Sequence, residues 1–181
     1  MLISVNQNNS IAIQRGRLVL LDKNLNVIKK GDKLFNSLLY SLGIFRRLLR
    51  YAIYSSLRIN KEEVLISIKK GLYLINEETI QFKKIKTPEG FSKTLYLGKI
   101  KYNDSIHVIY SNYFSNINML PVEIYIAPIN NLNLFRRIYT FDEGEINHIH
   151  SCVQDLETGD LFLNLGDAGK NVGIWRLSLD T

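Results

Sequence analysis

Ala52-Ile53-Tyr54-Ser55 and His148-Ile149-His150-Ser151 are two copies of one short segment, and sliding the first onto the second gives an ungapped match. The register then holds loosely. Leu57 falls on Val153, Ile59 mismatches Asp155, and Asn60-Lys61-Glu62-Glu63 covers Leu156-Glu157-Thr158-Gly159 before Val64-Leu65-Ile66 meets Asp160-Leu161-Phe162. A hairpin pattern follows, in which an apolar run reaches a polar turn and then a further apolar strand. Its copies are Leu18 to Asp22 leading to Val27-Ile28, Leu72 to Asn76 leading to Ile80-Gln81-Phe82, and Ile124 to Ala127 leading to Leu134-Phe135. The last is Ile174 to Ser178. The spacing is about fifty residues, the size of a four-stranded propeller blade.

Within a period the segments are short and alternate. Ser105 to Ser111 puts Ile106, Val108 and Tyr110 on one face and His107, Ile109 and Ser111 on the other, a period of two that specifies strand and not helix. The best-preserved unit reads as strands at 52–59, 64–69, 71–75 and 79–84, and the next at 94–102, 105–112, 122–127 and 133–139. A third begins at His148. The expected fold is therefore all-β, a partial β-propeller of about three and a half four-stranded blades forming one domain over 1–181. Its blade units cover 1–31, 51–86, 93–140 and 147–181. Residues 32–50 break the template: Leu34, Leu38, Leu42, Phe45 and Leu49 recur at three-to-four spacing, which predicts a helical insertion near residues 33–50 that packs its apolar face on its own domain.

Charge narrows the partners. The formal net charge of +6 comes from Lys and Arg spread along the chain, with local pairs at Arg46-Arg47, Lys69-Lys70, Lys83-Lys84 and Arg136-Arg137, without the basic stripe or reading module of a nucleic-acid binder. A mild positive field suits anionic sugars equally well. Cys152 is the only cysteine, so an intrachain disulfide and a multi-cysteine metal site are both excluded. The first ten residues carry no basic and apolar leader, and the apolar stretch 34–54 is interrupted by Arg46, Arg47 and Arg50, unlike a membrane span. The expected location is the cytoplasm. No cofactor is expected.

Asn147-His148-Ile149-His150-Ser151, then Asp155, Thr158-Gly159, Gly166-Asp167 and Gly173-Ile174-Trp175-Arg176 resemble the His-x-His strand and Gly-Asp turn of bacterial sialidase-like propellers, an uncharacterised glycosyl-hydrolase-like branch built from degenerate BNR or Asp-box repeats. The resemblance runs from about Arg47 to Thr181, helped by Asn112-Tyr113-Phe114 before Val122-Glu123-Ile124-Tyr125 and by Gly71-Leu72-Tyr73. It implies the N-terminal half of such a propeller. The Asp-box hairpin, Ser-x-Asp-x-Gly-x-x-Trp, is eroded: Ser178 and Asp180 keep two positions, while the Asp22-Lys23 and Asn76-Glu77 turns keep the shape alone. Sialidase chemistry needs arginines on the sugar carboxylate, a Tyr nucleophile with a Glu partner, and an Asp acid. Arg50, Arg58, Arg136 and Arg137 and ten tyrosines are present, but none stands in a motif that transfers a role.

The site candidates are His148, His150 and Asp167. Alternation puts both imidazoles on one side of a strand, about 6.5 to 7 Å apart, where they either bind a ligand near the propeller channel or hydrogen-bond neighbouring loops. No third metal ligand can be named beside them, although Asp167, Asp142 and Glu145 are nearby in sequence, so no metal is assigned. Asp167 belongs at the same sheet end, either orienting a histidine or capping the Ala168-Gly169-Lys170 turn. His107, Tyr125 and Trp175 read as packing residues. The functional expectation is a non-catalytic propeller that binds a glycan or a protein partner at its channel face. The alternative is a carbohydrate-active hydrolase. Ring closure is expected from further blades beyond Thr181, or else from self-association.

Overall fold

The computed structural model describes residues 2–5, 9–35, 52–69, 71–166 and 171–179. They form fifteen strands and, among the described residues, no helix. The strands are gathered into four separate antiparallel meanders. The first holds β1 (Leu2–Val5), β2 (Asn9–Gln14), β3 (Arg17–Asp22) and β4 (Val27–Lys33). The second holds β5 (Ile53–Arg58), β6 (Glu63–Ile68), β7 (Gly71–Asn76) and β8 (Gln81–Ile85). The third holds β9 (Gly98–Tyr102), β10 (Ser105–Ser111), β11 (Val122–Pro128) and β12 (Arg136–Phe141). The fourth has three strands, β13 (His148–Gln154), β14 (Leu161–Gly166) and β15 (Gly173–Leu177).

The helical insertion is corrected where the structure describes it. Asp32 and Lys33 complete β4, and the amides of Leu34 and Phe35 both donate to the carbonyl of Gly16, so this segment is anchored across the β2–β3 turn as extended chain. Residues 36–50 lie outside the described residues. At the described start of the segment Phe35 is buried in the core of the first unit and Leu34 packs against it.

The repeat is visible as a shared irregularity. In the second sheet Ile53 pairs Ile68 and Ser55 pairs Ser67; in the fourth, Ile149 pairs Leu165 and Ser151 pairs Asn164. Each skips one residue, Tyr54 and His150, at equivalent places. The first sheet does the same at Ile3. Such a bulge shifts the side-chain phase by one, which is why Ile149 and Cys152, three apart, both enter one core. Core positions also show a slip between β6 and β14: Val64, Ile66 and Ile68 correspond to Leu161, Leu163 and Leu165. The ungapped match therefore holds through the first strand and needs one extra residue in the β13–β14 turn.

Turns repeat as well. Asp22 Oδ1 accepts the amides of Asn24 and Asn26, and Asn76 Oδ1 those of Glu78 and Thr79, side chains standing in for the backbone at the third turn of each sheet. Hydrogen bonds from Asn26 and Asn24 hold the Asp22 carboxyl below its usual range.

The chain divides into two compact units, 1–84 and 85–181. In the first, the first two sheets share a core of Ile11, Ile13, Leu18, Val64, Ile66, Ile75 and Ile80. In the second, the third and fourth sheets share Ile109, Ile124, Ile126, Phe141, Ile149, Leu161, Leu163 and Leu165, with Trp175 against them. Their first strands, β9 and β13, lie side by side. Gln154 clamps them: its side chain accepts from the Lys101 amide and donates to the Lys101 carbonyl.

Cys152 is buried in that core, and burial pushes its thiol up to about 12. Burial likewise raises the Tyr110 and Tyr125 phenols. Groups kept neutral by folding stabilise the native state fully below their unfolded pKa, near 9 to 10, and lose that contribution as pH rises through the folded values. The urea midpoint is therefore expected to be flat from pH 7 to 8.5 and to fall above pH 9. A Cys152→Ala variant is expected to show a shallower early decline, and an identical alkaline profile would show that Cys152 does not contribute.

Candidate functional site

One end of the third and fourth sheets collects the residues of interest. Ile109 pairs Gly98 and Ser111 pairs Ile124, so the start of β9, the end of β10 and the start of β11 share that end of the third sheet. His148 pairs Gly166 at the corresponding end of the fourth. Tyr113, in the loop after β10, bridges the two: its ring centroid is 4.4 Å from that of His148 and 6.1 Å from that of His150. The imidazoles are 6.4 Å apart at an interplanar angle of 72°. Lys93 Nζ lies 5.2 Å from the centre of the Tyr113 ring, within range of a cation–π contact.

The two histidines differ in setting. His148 is buried at the start of β13, while His150 is half-buried and is the extra residue of the bulge. The Cδ2–Nε2 edge of its ring approaches Gly166: a Cβ added there would stand 2.3 Å from Cδ2 and Nε2 of His150 and 3.6 Å from Cε1. A side chain at 166 would therefore displace the imidazole from its present position.

Asparagine side chains fix the surrounding loops. Asn112 accepts the Ser92 amide and donates to the Gly90 carbonyl, and the Tyr113 amide donates to the Lys93 carbonyl, so the Lys93 segment and the Tyr113 loop are tied together. Asn116, buried, donates to the carbonyls of Leu120 and Asn147 and accepts the Leu120 amide, locking the same loop to the segment that leads into His148. Three satisfied bonds on one buried amide make this a rigid support. Buried Ser111 Oγ and Asn147 Oδ1 have no hydrogen-bond partner among the described residues, and both belong to this sheet end.

Of the sequence candidates, His148 and His150 are brought together and Asp167 lies outside the described residues. Among the described residues no group of three His, Cys, Asp or Glu is placed to hold a metal ion. Tyr113 and Lys93 were not singled out as site residues; the signal available was the Asn112-Tyr113-Phe114 run between two strands, where a loop aromatic after a predicted strand end faces whatever that end faces. His107 packs as expected, buried against the Tyr102 ring.

A second constellation sits on β11 and β12. Tyr125 donates to Glu123, whose other carboxylate oxygen accepts from Arg137. Burial acts to raise the Glu123 carboxyl, but the hydrogen bonds from Tyr125 and Arg137 hold it below its usual range. Tyr125 itself is 8% exposed and stacks on Tyr110 at 5.3 Å. Its phenol is pushed up, first by burial and then by its bond to Glu123, which is the wrong direction for a nucleophile. Tyr125 pairs with Tyr110 and stacks on its ring, while Trp175 pairs with Leu163 and packs against the core of its unit.

Among the described residues no helix is long and apolar enough to cross a membrane. No family model matches the chain. No curated protein matches it either. Solved structures do. The chain is similar to the structure of dihydro-heme d1 dehydrogenase NirN in complex with DHE, with a TM-score of 0.52 and 15% identity, over 96% of this chain and 35% of that one. It is also similar to the tricorn protease (TM-score 0.49, 10% identity, 97% of this chain and 16% of that one). A protein of unknown function from Bacteroides caccae aligns at a TM-score of 0.45 and 13% identity, over 99% of this chain and 57% of that one. The chain thus spans about a third of the NirN chain it matches. At such identities the likeness speaks for architecture alone, and with the four meander sheets it gives an all-β, β-propeller-like fold.

Proposed function

We propose that this chain is part of a non-catalytic, sialidase-like β-propeller that binds a glycan at the sheet end carrying Tyr113, His148 and His150. The observation that carries the reading is the aromatic group itself: a Tyr ring flanked by two imidazoles, backed by an ammonium and braced by Asn112 and Asn116. Aromatic faces stack on the apolar face of a sugar ring, and imidazole and phenol groups hydrogen-bond its hydroxyls. Bracing by buried amides reduces the ordering cost of binding. A protein partner is the other occupant such a surface would accept.

The hydrolase reading has one observation in its favour, the Tyr125–Glu123–Arg137 group. Its Tyr is buried and its phenol is held neutral, so the binding reading is preferred.

A glycan array probed with the full chain tests the proposal. Saturable binding to one glycan class, weakened at least about tenfold by Tyr113→Ala and by His150→Ala, is expected. Binding indifferent to both changes, or none to any glycan, overturns it. A fluorogenic glycoside panel is expected to show no turnover; turnover lost in Glu123→Gln or His150→Ala would replace binding with hydrolysis.

A further inference from the structure

The outer face of the first sheet carries a groove of about 400 Å³ lined by Gln14, Arg15, Arg17, Val19, Lys30 and Lys33. Arg17 stands directly opposite Lys33, and Val19 opposite Lys30, in the β3–β4 ladder. All four cationic residues are exposed, whereas Val19 is buried and forms the floor. Like charges facing each other across strands destabilise a sheet. Among the described residues no carboxylate lines this groove to offset them. Asp32, the acid between Lys30 and Lys33, accepts the Phe82 amide, and Asp22 is occupied by its own turn. Lys29 donates to the Glu78 carbonyl and so lies away from the groove.

A second observation concerns Arg15. It holds φ +50 beside Gly16 at φ +78, the tight connection between paired Gln14 and Arg17. Both central residues of such a hairpin turn need positive φ, for which Asn, Asp or Gly is the favourable first residue. A guanidinium is thus kept at the groove's lip at a conformational cost. Two features that work against stability converge on one cationic surface, the pattern of a site retained for binding.

We infer that this groove binds a multiply charged oxyanion, a phosphorylated or sulfated small ligand, gripped by Arg15, Arg17, Lys30 and Lys33. Planar guanidinium groups match the paired oxygens of phosphate and sulfate, and lysines add charge without demanding a direction. Arg17 already donates one nitrogen to the Gly31 carbonyl, which fixes its side chain along the groove.

The test uses inorganic tripolyphosphate, titrated calorimetrically into the full chain at about 150 mM salt, where exposed charges beyond roughly 8 Å are screened. One saturable site is expected. Lys33→Glu creates an opposite-charge pair with Arg17 and Arg15→Asn relieves the turn, so each is expected to raise Tm by a few degrees while weakening tripolyphosphate at least about tenfold. The control, Lys83→Ala with Lys84→Ala, removes two charges outside the groove and is expected to leave affinity within about twofold. Absence of saturable binding overturns the inference. So does a control that weakens binding as much as Lys33→Glu, or retained affinity in the two groove variants. A sulfated disaccharide and a sugar phosphate, compared at equal charge, then distinguish the two sources of the anion.

Discussion

Truncating Leu163 to Ala is expected to cost about 3 to 4 kcal/mol of stability. Leu163 is 1% exposed on β14, the central strand of the fourth sheet, between Cys152 on one side and Trp175 on the other. It belongs to the core that the third and fourth sheets share, so truncation leaves a void walled by two sheets whose backbones are held by hydrogen-bonded ladders. Such walls collapse little, which places the loss in the upper part of the range for large-to-small changes. Trp175, the only tryptophan, packs in the same core with its ring centroid 6.0 Å from that of Phe141, so its fluorescence follows this unit during urea unfolding. The matched control is Val153→Ala on the neighbouring strand, 62% exposed, with an expected change below about 0.5 kcal/mol. Equal losses in the two variants would mean that the core assignment of β14 is wrong.

How much of this was readable beforehand follows from which interactions are local. Alternation and turn chemistry are local, so the strands at 105–111 and 122–128 and the side-chain-capped turns at Asp22 and Asn76 follow directly from residue order. The bulge at His150 does not. Alternation alone sets His148 and His150 on one face, and their 6.4 Å ring separation agrees with that, but the extra residue that brings Ile149 and Cys152 into one core depends on the partner strand. The one-residue slip between Val64 and Leu161 has the same origin, since a turn can lengthen without changing the apolar pattern on either side. Leu34 and Phe35 show the opposite failure. Leu34 opens a stripe that fits a helical template, yet Gly16, eighteen residues earlier in the chain, supplies the carbonyl that the Leu34 and Phe35 amides both need. Tyr113 beside the histidines and the four cations of the first sheet are likewise long-range products of pairing. Arg17 and Lys33 are distant in sequence and directly opposed in the ladder, so the local clusters Arg15-Gly16-Arg17 and Lys29-Lys30 do not by themselves announce the groove.

Gly31→Ala is expected to be nearly as damaging as the core truncation, at about 3 kcal/mol, although it adds only one methyl group. A Cβ at residue 31 would stand 1.9 Å from the Ile80 carbonyl oxygen, 2.2 Å from its Cγ2 and 2.6 Å from its Cβ. Backbone, unlike the tip of a side chain, cannot step aside cheaply. Ile80 is also held fast: it is fully buried in the core of the first unit, its amide donates to Asn76 and its carbonyl accepts the Asp32 amide. It keeps φ +58, a costly conformation for a β-branched residue that only surrounding contacts maintain. Any displacement that accommodates the methyl group must lengthen the Asp32–Ile80 bond and with it the bond from the Phe82 amide to the Asp32 carboxylate. Each orphaned buried group costs about 1 to 3 kcal/mol. Far-UV circular dichroism across a thermal transition reads the loss. The discriminating variant is Gly31→Ala combined with Ile80→Ala, which removes Cγ2 but leaves the carbonyl, so it is expected not to recover stability relative to Ile80→Ala alone. Recovery there would show that only side chains collide, and that the close backbone approach of β4 to the β7–β8 turn is not what requires glycine at position 31.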